Sequence, residues 1–269
     1  TALRNGYEAV KKHNLLTNNY ILKIQTTIEE NDAGFRKVPG TELKNEQSGE
    51  IVYTPPQEES EILLLMDNLE KFINDDSLSD IDLLVKMAVI HHQFESIHPF
   101  YDGNGRTGRI INVLYLVKNN LLDSPVLYLS RYINKNKNEY YRLIQAVRDQ
   151  DSWEEWLLFM LEAIEQTSHQ TINLIRGIRD LMREYKNRLR SELPKIYSQD
   201  LLNNLFRHPY TKIEYVEKEL QVHRNTARKY LDELLRIGLL EKHKIGTENF
   251  YLNKTLFNLI GNSTSIDES

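Results

Sequence analysis

The sequence predicts a mainly α-helical protein with one β-hairpin, followed by a small winged helix–turn–helix domain. Three observations carry this expectation. Apolar residues recur at helical spacing over most of the chain: Tyr20, Ile21, Ile24 and Ile28 form one stripe, and Ile62, Leu65, Met66, Leu69, Phe72 and Ile73 another. A single β-prone stretch, Ile51-Val52-Tyr53-Thr54, ends at the double proline Pro55-Pro56. Beyond Pro194 the pattern changes to a helix, a short helix–turn–helix and two short strands.

Taken in order, residues 3–31 read as two helices, and residues 41–54 as a hairpin turning near Asn45–Gly49. Helix resumes after Pro56, with a second stripe through Ile81, Leu84, Val85 and Ala88. A polar, glycine-rich break at Ser96–Gly105 precedes an apolar helix through Ile110, Val113, Leu114 and Val117. Residues 134–149 predict a shorter helix. A long one starts at the cap Asp151-Ser152 and runs through Trp153, Trp156 and Met160 to Met182. Near the C-terminus, Ile213–Glu219 and Asn225–Ile237 read as a helix–turn–helix closed by Gly238, and Leu239–Ile245 with Asn249–Leu252 as a wing. The expected domains are 1–192 and 196–257, followed by a polar tail at 261–269.

Composition narrows the function classes. The chain has 269 residues, enough for one large or two smaller domains, and a formal net charge of −5. It has no cysteine, which excludes disulfide scaffolds, Cys-ligated zinc and thiol catalysis. No apolar run approaches the roughly 18 residues of a membrane helix, and no signal-peptide pattern opens the chain. No membrane partner and a cytoplasmic location are therefore expected. The first residue is Thr1 rather than Met, so the chain reads as a fragment.

The chemistry concentrates in His98-Pro99-Phe100-Tyr101-Asp102-Gly103-Asn104-Gly105-Arg106-Thr107-Gly108-Arg109. Gly103 and Gly105 let the backbone approach a ligand, and the helix that follows presents free N–H groups, a ready anion site. Arg106 and Arg109, three apart, share a helix face and suit phosphate oxygens. Asp102 offers a hard oxygen ligand for Mg²⁺, and His98 an imidazole that titrates near neutrality. A glycine-rich loop before a helix is a weak signal alone. Base, carboxylate, anion nest and two arginines together describe phosphoryl or nucleotidyl transfer.

This segment resembles the signature of the Fic family, His-x-Phe-x-(Asp/Glu)-Gly-Asn-Gly-Arg-x-x-Arg, at all eight specified positions. Gly34-Phe35-Arg36-Lys37, Pro39-Gly40-Thr41 and Gly49–Pro56 resemble the hairpin, or flap, that precedes the Fic core. Leu127–Ser130 and Tyr140-Tyr141 are also family-like, so the resemblance covers roughly residues 1–190. It implies a Fic helical core that transfers AMP from ATP to a hydroxyl of a target protein. On that basis His98 is the general base, Asp102 the Mg²⁺ ligand, Gly103, Asn104 and Gly105 the phosphate nest, and Arg106 and Arg109 the phosphate-binding arginines. Ile51, Val52, Tyr53 and Thr54 would pair with an extended target segment. Tyr140 and Tyr141 are candidates for the adenine pocket, with ordinary helix packing as the equal alternative. A phosphate-transferring branch carries lysine at the second nest glycine. This chain keeps Gly105, which favours AMP transfer.

His91 and His92 are adjacent on a helix and point about 100° apart, which favours packing over shared metal ligation. Glu95 either orients His98 or is solvated. Many Fic proteins are inhibited by a helix with the pattern (Ser/Thr)-x-x-x-Glu-(Gly/Asn), whose glutamate pairs with the second motif arginine. Thr26–Asn31 fits that string through Glu30, but the expectation favours an inhibitory helix upstream of Thr1.

Residues 200–260 carry 10 Lys+Arg against 8 Asp+Glu, a slightly basic module. Arg224, Arg228 and Lys229 at its second helix make duplex DNA a candidate partner of residues 196–257. A transcriptional regulator that senses nucleotide and binds DNA is therefore the alternative to the enzyme. A homodimer is left open.

Overall fold

The computed structural model describes residues 2–45 and 48–264, which fall into two compact units divided between Ser168 and His169. The first unit is helical with one hairpin. Helices α1 (Ala2–His13) and α2 (Asn18–Glu29) precede strands β1 (Leu43–Lys44) and β2 (Ile51–Tyr53). The strands pair antiparallel, Leu43 opposite Tyr53 and Lys44 opposite Ile51, with an irregularity between. This hairpin is shorter than residues 41–54. Two residues of its expected turn, Glu46 and Gln47, lie outside the described residues.

Helices α3 (Glu59–Asn74), α4 (Leu83–Ile97) and α5 (Asn104–Lys118) follow, with a short 3-10 turn at Asp76–Leu78. Asp82 caps α4 by accepting from the N–H groups of Leu84 and Val85. Helix α5 is buried nearly all round from Ile111 to Lys118, as expected of a helix at the centre of a domain. Around it pack α1, α2 and α4, while α3 packs on α4. Helices α6 (Leu129–Lys135) and α7 (Lys137–Gln150) and the first part of α8 (Trp153–Glu192) complete the unit. The indole N–H of Trp156, fully buried, donates to the Ala88 carbonyl at 3.0 Å. That bond fixes α8 against the helix that carries His98.

The expected boundary near Pro194 differs from the observed division, which falls between Ser168 and His169 within α8. The reason is visible in the sequence period. Tyr185, Leu189 and Leu193 continue the apolar stripe beyond Met182 and, with Leu181, belong to the core of the second unit. That unit continues with α9 (Gln199–Arg207), β3 (Tyr210–Thr211), α10 (Ile213–Leu220) and α11 (Arg224–Arg236). Strands β4 (Glu241–Ile245) and β5 (Glu248–Leu252) and helix α12 (Lys254–Thr264) close it. The three strands form an antiparallel sheet in the order β3-β5-β4. Strand β3 was not anticipated, because two residues carry no readable alternation. The polar tail expected from residue 261 is helical as far as Thr264, and residues 265–269 lie outside the described residues. Among the described residues no helix is long and apolar enough to cross a membrane.

Candidate active site

Helix α4 ends at Ile97, and His98 follows as its C-cap with φ 47°, in the left-handed region. A non-glycine residue there is strained, and such residues concentrate at functional sites. The chain then loops through Phe100, buried against Phe35 and Phe94, and enters α5. Gly103 caps α5 at φ 82° with no side-chain cap, so the first amides of that helix remain free for a ligand.

A cavity of about 300 Å³ opens over this helix start. His98, Asp102, Gly103, Asn104, Gly105, Arg106, Arg109, Tyr140 and Tyr141 all line it, together with Tyr101, Ile133, Asn134 and Lys137. The structure thus gathers seven of the eight signature residues and both tyrosines around one space, while Phe100 packs in the core behind it. It does not bring Ile51, Val52, Tyr53 or Thr54 into that cavity. Ile51 and Val52 are exposed on β2, and Thr54 follows the strand. A larger cavity of about 450 Å³, in the second unit, is lined by Arg207, His208, Glu214, Tyr215, Lys218 and Glu219. There Arg207 and Glu219 already pair at 2.7 Å.

Each lining side chain has a definite state. His98 is held well below the usual imidazole range, at about 4, by burial and then by the nearby guanidinium groups of Arg36 and Arg148. The imidazole is therefore neutral at pH 7 and able to accept a proton. Asn104 has its side chain turned inward: Oδ1 accepts from the Phe100 N–H at 2.9 Å and Nδ2 donates to the Phe100 carbonyl at 2.8 Å. It shapes the loop, so its backbone amide rather than its side chain is left at the open helix start. One oxygen of Asp102 accepts from the Gly103 N–H at 2.7 Å. Arg109 Nε donates to Ser130 Oγ at 2.9 Å, which anchors the guanidinium beside the nest. Tyr140 is buried, its hydroxyl 3.0 Å from His91 Nε2, and it packs on Trp156 and Phe159. Tyr141 is exposed and meets Tyr140 edge-on. One tyrosine therefore belongs to the core and shows only an edge to the cavity, while the other stands at its rim.

Glu95 is buried, not solvated, and burial raises its carboxyl to about 7. A Cβ on Gly108 would come within 2.8 Å of its Oε1 and 3.1 Å of Phe94, so only glycine permits this approach of α5 to α4. His91 and His92 are both buried and bonded, His92 Nε2 to the Ile144 carbonyl at 3.2 Å. Burial lowers them to about 3 and about 4.

Sequence reasoning missed the acid at the nest. Glu29, at the end of α2, places Oε1 at 2.6 Å from Arg106 Nη2, with its side chain 11% exposed. The approach is an ion pair without the alignment of a directed hydrogen bond. A Cβ on Gly103 would run into this carboxylate. One turn earlier on the same face, buried Gln25 donates to the Asp102 carbonyl at 3.3 Å. The string Thr26–Asn31 points to Glu30 as the partner of Arg109. Instead α2 stops at Glu29, and Glu30 is its exposed C-cap at φ 55°. The partner is Arg106, not Arg109.

The residues present fit a polyphosphate. A carboxylate from the protein already rests at the open helix start beside Arg106, so the position is built for anionic oxygen. The fit for Mg²⁺ is narrower. Among the described residues no three His, Asp or Glu side chains group together. Asp102 would thus hold the ion jointly with phosphate oxygens, the usual habit of Mg²⁺.

Comparison with known proteins agrees with this geometry. The model of the Fic/DOC family matches residues 15–116, and that of the "protein adenylyltransferase SoFic-like, C-terminal domain" matches residues 181–256. A probable protein adenylyltransferase of Aquifex aeolicus is 46% identical over 54 residues, 20% of this chain and 17% of that protein. The protein adenylyltransferase Fic of Drosophila yakuba is 26% identical over 130 residues, 48% of this chain and 25% of that protein. The chain thus matches a quarter or less of the length of these relatives. Among solved structures, a Fic family protein from Desulfovibrio desulfuricans superposes with a TM-score of 0.54 at 20% identity, over 92% of this chain and 72% of that one. Fic-1 of C. elegans superposes with a TM-score of 0.50 at 23% identity, over 65% of this chain and 49% of that one. Signature, cavity and matching family models agree: the chain carries a Fic/DOC family domain over residues 15–116 and a SoFic-like C-terminal domain over residues 181–256.

Proposed function

We propose that the protein is an adenylyltransferase that moves AMP from ATP to a Ser, Thr or Tyr hydroxyl of a target protein or of itself. The observation that carries this reading is the single cavity in which a neutral His98 faces the open N-terminus of α5, with Arg106, Arg109 and Asp102 around it. The target oxygen attacks the α-phosphorus, the bond to the β-phosphate oxygen breaks, and pyrophosphate leaves. His98 takes the hydroxyl proton. The amides of α5 and the two arginines stabilise charge on the leaving group. Asp102 would hold Mg²⁺ together with phosphate oxygens, and the ion would supply further neutralisation of that charge. Strand β2, with Ile51 and Val52 exposed, offers an edge on which an extended target segment adds as a strand. Tyr140 and Tyr141 border the space left for the base.

Glu29 competes with the substrate for the same helix start, so the conformation described is the restrained one. Its release admits the triphosphate to Arg106 and the nest.

The test is incubation with α-labelled ATP and Mg²⁺, with mass spectrometry for AMP adducts on the protein and on lysate proteins. His98→Ala should lower transfer by about 10²–10⁴-fold and keep the fold. Equal labelling by this variant and the parent would reject His98 as the base.

For residues 196–257 the proposal is a winged helix. It rests on the order α9, β3, α10, α11, β4, β5. Duplex DNA is the ligand class that suits the exposed Arg224, Arg228 and Lys229 on α11.

A further inference from the structure

A helix end leaves its last carbonyls without intrahelical partners. At the end of α4, Phe94 accepts the His98 N–H at 3.0 Å. Each of the next four carbonyls is taken by a side chain from elsewhere in the chain. Arg148 Nη2 donates to Glu95 at 3.3 Å, and the Tyr53 hydroxyl to Ser96 at 3.1 Å. Arg36 Nη2 donates to Ile97 at 3.3 Å and Arg36 Nε to His98 at 2.7 Å. The Arg36 backbone N–H adds a bond to the Pro99 carbonyl at 2.8 Å.

Arg36 is fully buried and, among the described residues, makes no ion pair with a carboxylate. Taking a guanidinium out of water without a counter-charge is costly, so its retention points to what its donors hold. Besides Ile97 and His98, Nη2 also reaches the Pro56 carbonyl at 2.7 Å. Arg36 lies before strand β1 and Pro56 lies after β2. One planar fork therefore joins both ends of the hairpin to the peptide of His98. The hairpin is tied a second time, because the Arg148 guanidinium stacks 3.8 Å over the Tyr53 ring and donates to Ser96 Oγ at 3.0 Å. His98 itself keeps a left-handed conformation, which persists only where the surroundings over-determine it.

We propose that Arg36 is the positioning residue for His98: its fork fixes the peptide that carries the imidazole and couples that peptide to the flap. Seating a target strand on β2 and aiming the base are then one mechanical event. Arg36 touches neither cavity nor substrate, and acts through His98. The inference rests on the reading of His98 as general base, but its structural half stands apart from it.

The experiment uses the full chain with Arg36→Lys, which keeps the charge and loses the fork, and with Tyr53→Phe, which removes one hydroxyl. Three quantities are read: the imidazole NMR signals of His98, assigned by their loss in His98→Ala; the Kd for ATP; and turnover at saturating ATP. For Arg36→Lys the expected result is a shifted or split His98 signal, a Kd within about threefold of the parent and a turnover at least about thirtyfold lower. For Tyr53→Phe a smaller shift and about a threefold loss of turnover are expected, again with unchanged Kd. A parent-like His98 signal and turnover in Arg36→Lys would overturn the proposal, as would a loss of ATP affinity that accounts for the whole loss of turnover. If Arg36→Lys does not fold, an unchanged signal and turnover in Tyr53→Phe overturns the coupling by itself. A parent that transfers no AMP rejects the proposed function, while the NMR arm still judges Arg36.

Discussion

Helices α5 and α11 both begin with arginines close to a histidine, yet their starts differ in every physical respect that makes an anion site. At α5 the cap is Gly103, which brings no side chain to its own amides. The surrounding Asn104, Thr107 and Gly108 are buried, Arg109 is tethered to Ser130, and a carboxylate from another helix already rests there. At α11 the cap is His223, whose ring Nδ1 accepts the Asn225 N–H at 3.2 Å. Arg224 and Arg228 stand in solvent, each with an acid 3.9 Å away, Glu217 and Asp232. Charges in water are screened, whereas charges in a recessed, partly dry site are not. The same residue types thus make a built site in one place and a solvated face in the other.

The strongest way to break this comparison is to remove one arginine from each helix. Arg109→Ala should lower AMP transfer by about 10²–10³-fold, the usual cost of losing one donor to developing charge, while Arg228→Ala leaves it within about twofold. Equal losses measured by α-labelled ATP would place the site wrongly.

A second test uses acid. His91, His92 and His98 are held neutral by burial at about 3, 4 and 4, below their unfolded value of 6.5. Depressed imidazoles make the unfolded chain bind more protons between about pH 4 and 6.5, so their stabilisation is complete above 6.5 and fades as pH falls. Glu95, raised from 4.5 to about 7, acts in the opposite sense: its contribution is full below 4.5 and lost as pH rises through 7. Three groups against one predict that stability falls by roughly 2 kcal/mol per pH unit between pH 6 and 5. Urea unfolding followed by tryptophan fluorescence reads this directly, since Trp153 and Trp156 pack on His92 and His91. A flat profile over that interval would show that the histidines are not buried neutral.

The third test concerns the acid at α5. Glu29→Gly should raise ATP affinity and self-modification about tenfold, in line with one charge-assisted contact, and Glu30→Gly should change neither by more than about twofold. Reversed results would return the inhibitory role to Glu30. The smallest effect is expected at α11. A triple Arg224/Arg228/Lys229→Ala variant should flatten the log–log salt slope of DNA binding by up to about three units and leave AMP transfer unchanged. An unchanged slope would remove DNA from the account of this unit.

Much of the α5 site was legible because it is local. His98 to Arg109 is one continuous segment, and glycine caps and arginine spacing act within a turn or two. Legibility ended where a neighbour comes from elsewhere. The string through Glu30 matched a pattern, but the end of α2 decides which of two adjacent glutamates faces inward, and the left-handed cap falls on Glu30. Asn104 looked like a phosphate ligand in the signature, yet its amide group is consumed by Phe100. Arg36 stood in a recognisable stretch, but nothing beside it in sequence says that its donors reach Ile97 and His98. The extent of α8 was readable in principle from the continued spacing of Leu181, Tyr185 and Leu189.

By itself the sequence determined the helical class, the hairpin and the signature loop, because these follow from periodicity and from the residues of one short segment, and the resemblance of that segment is what proposes a base, a nest and two arginines. Only the tertiary structure decided which carboxylate rests against the nest, which side chains hold the His98 peptide and which tyrosine is core. Those choices depend on contacts between residues far apart in the chain, such as the 62 positions separating Arg36 from His98. Burial then sets their strength, for it removes the water that would otherwise satisfy the same polar groups at no structural cost.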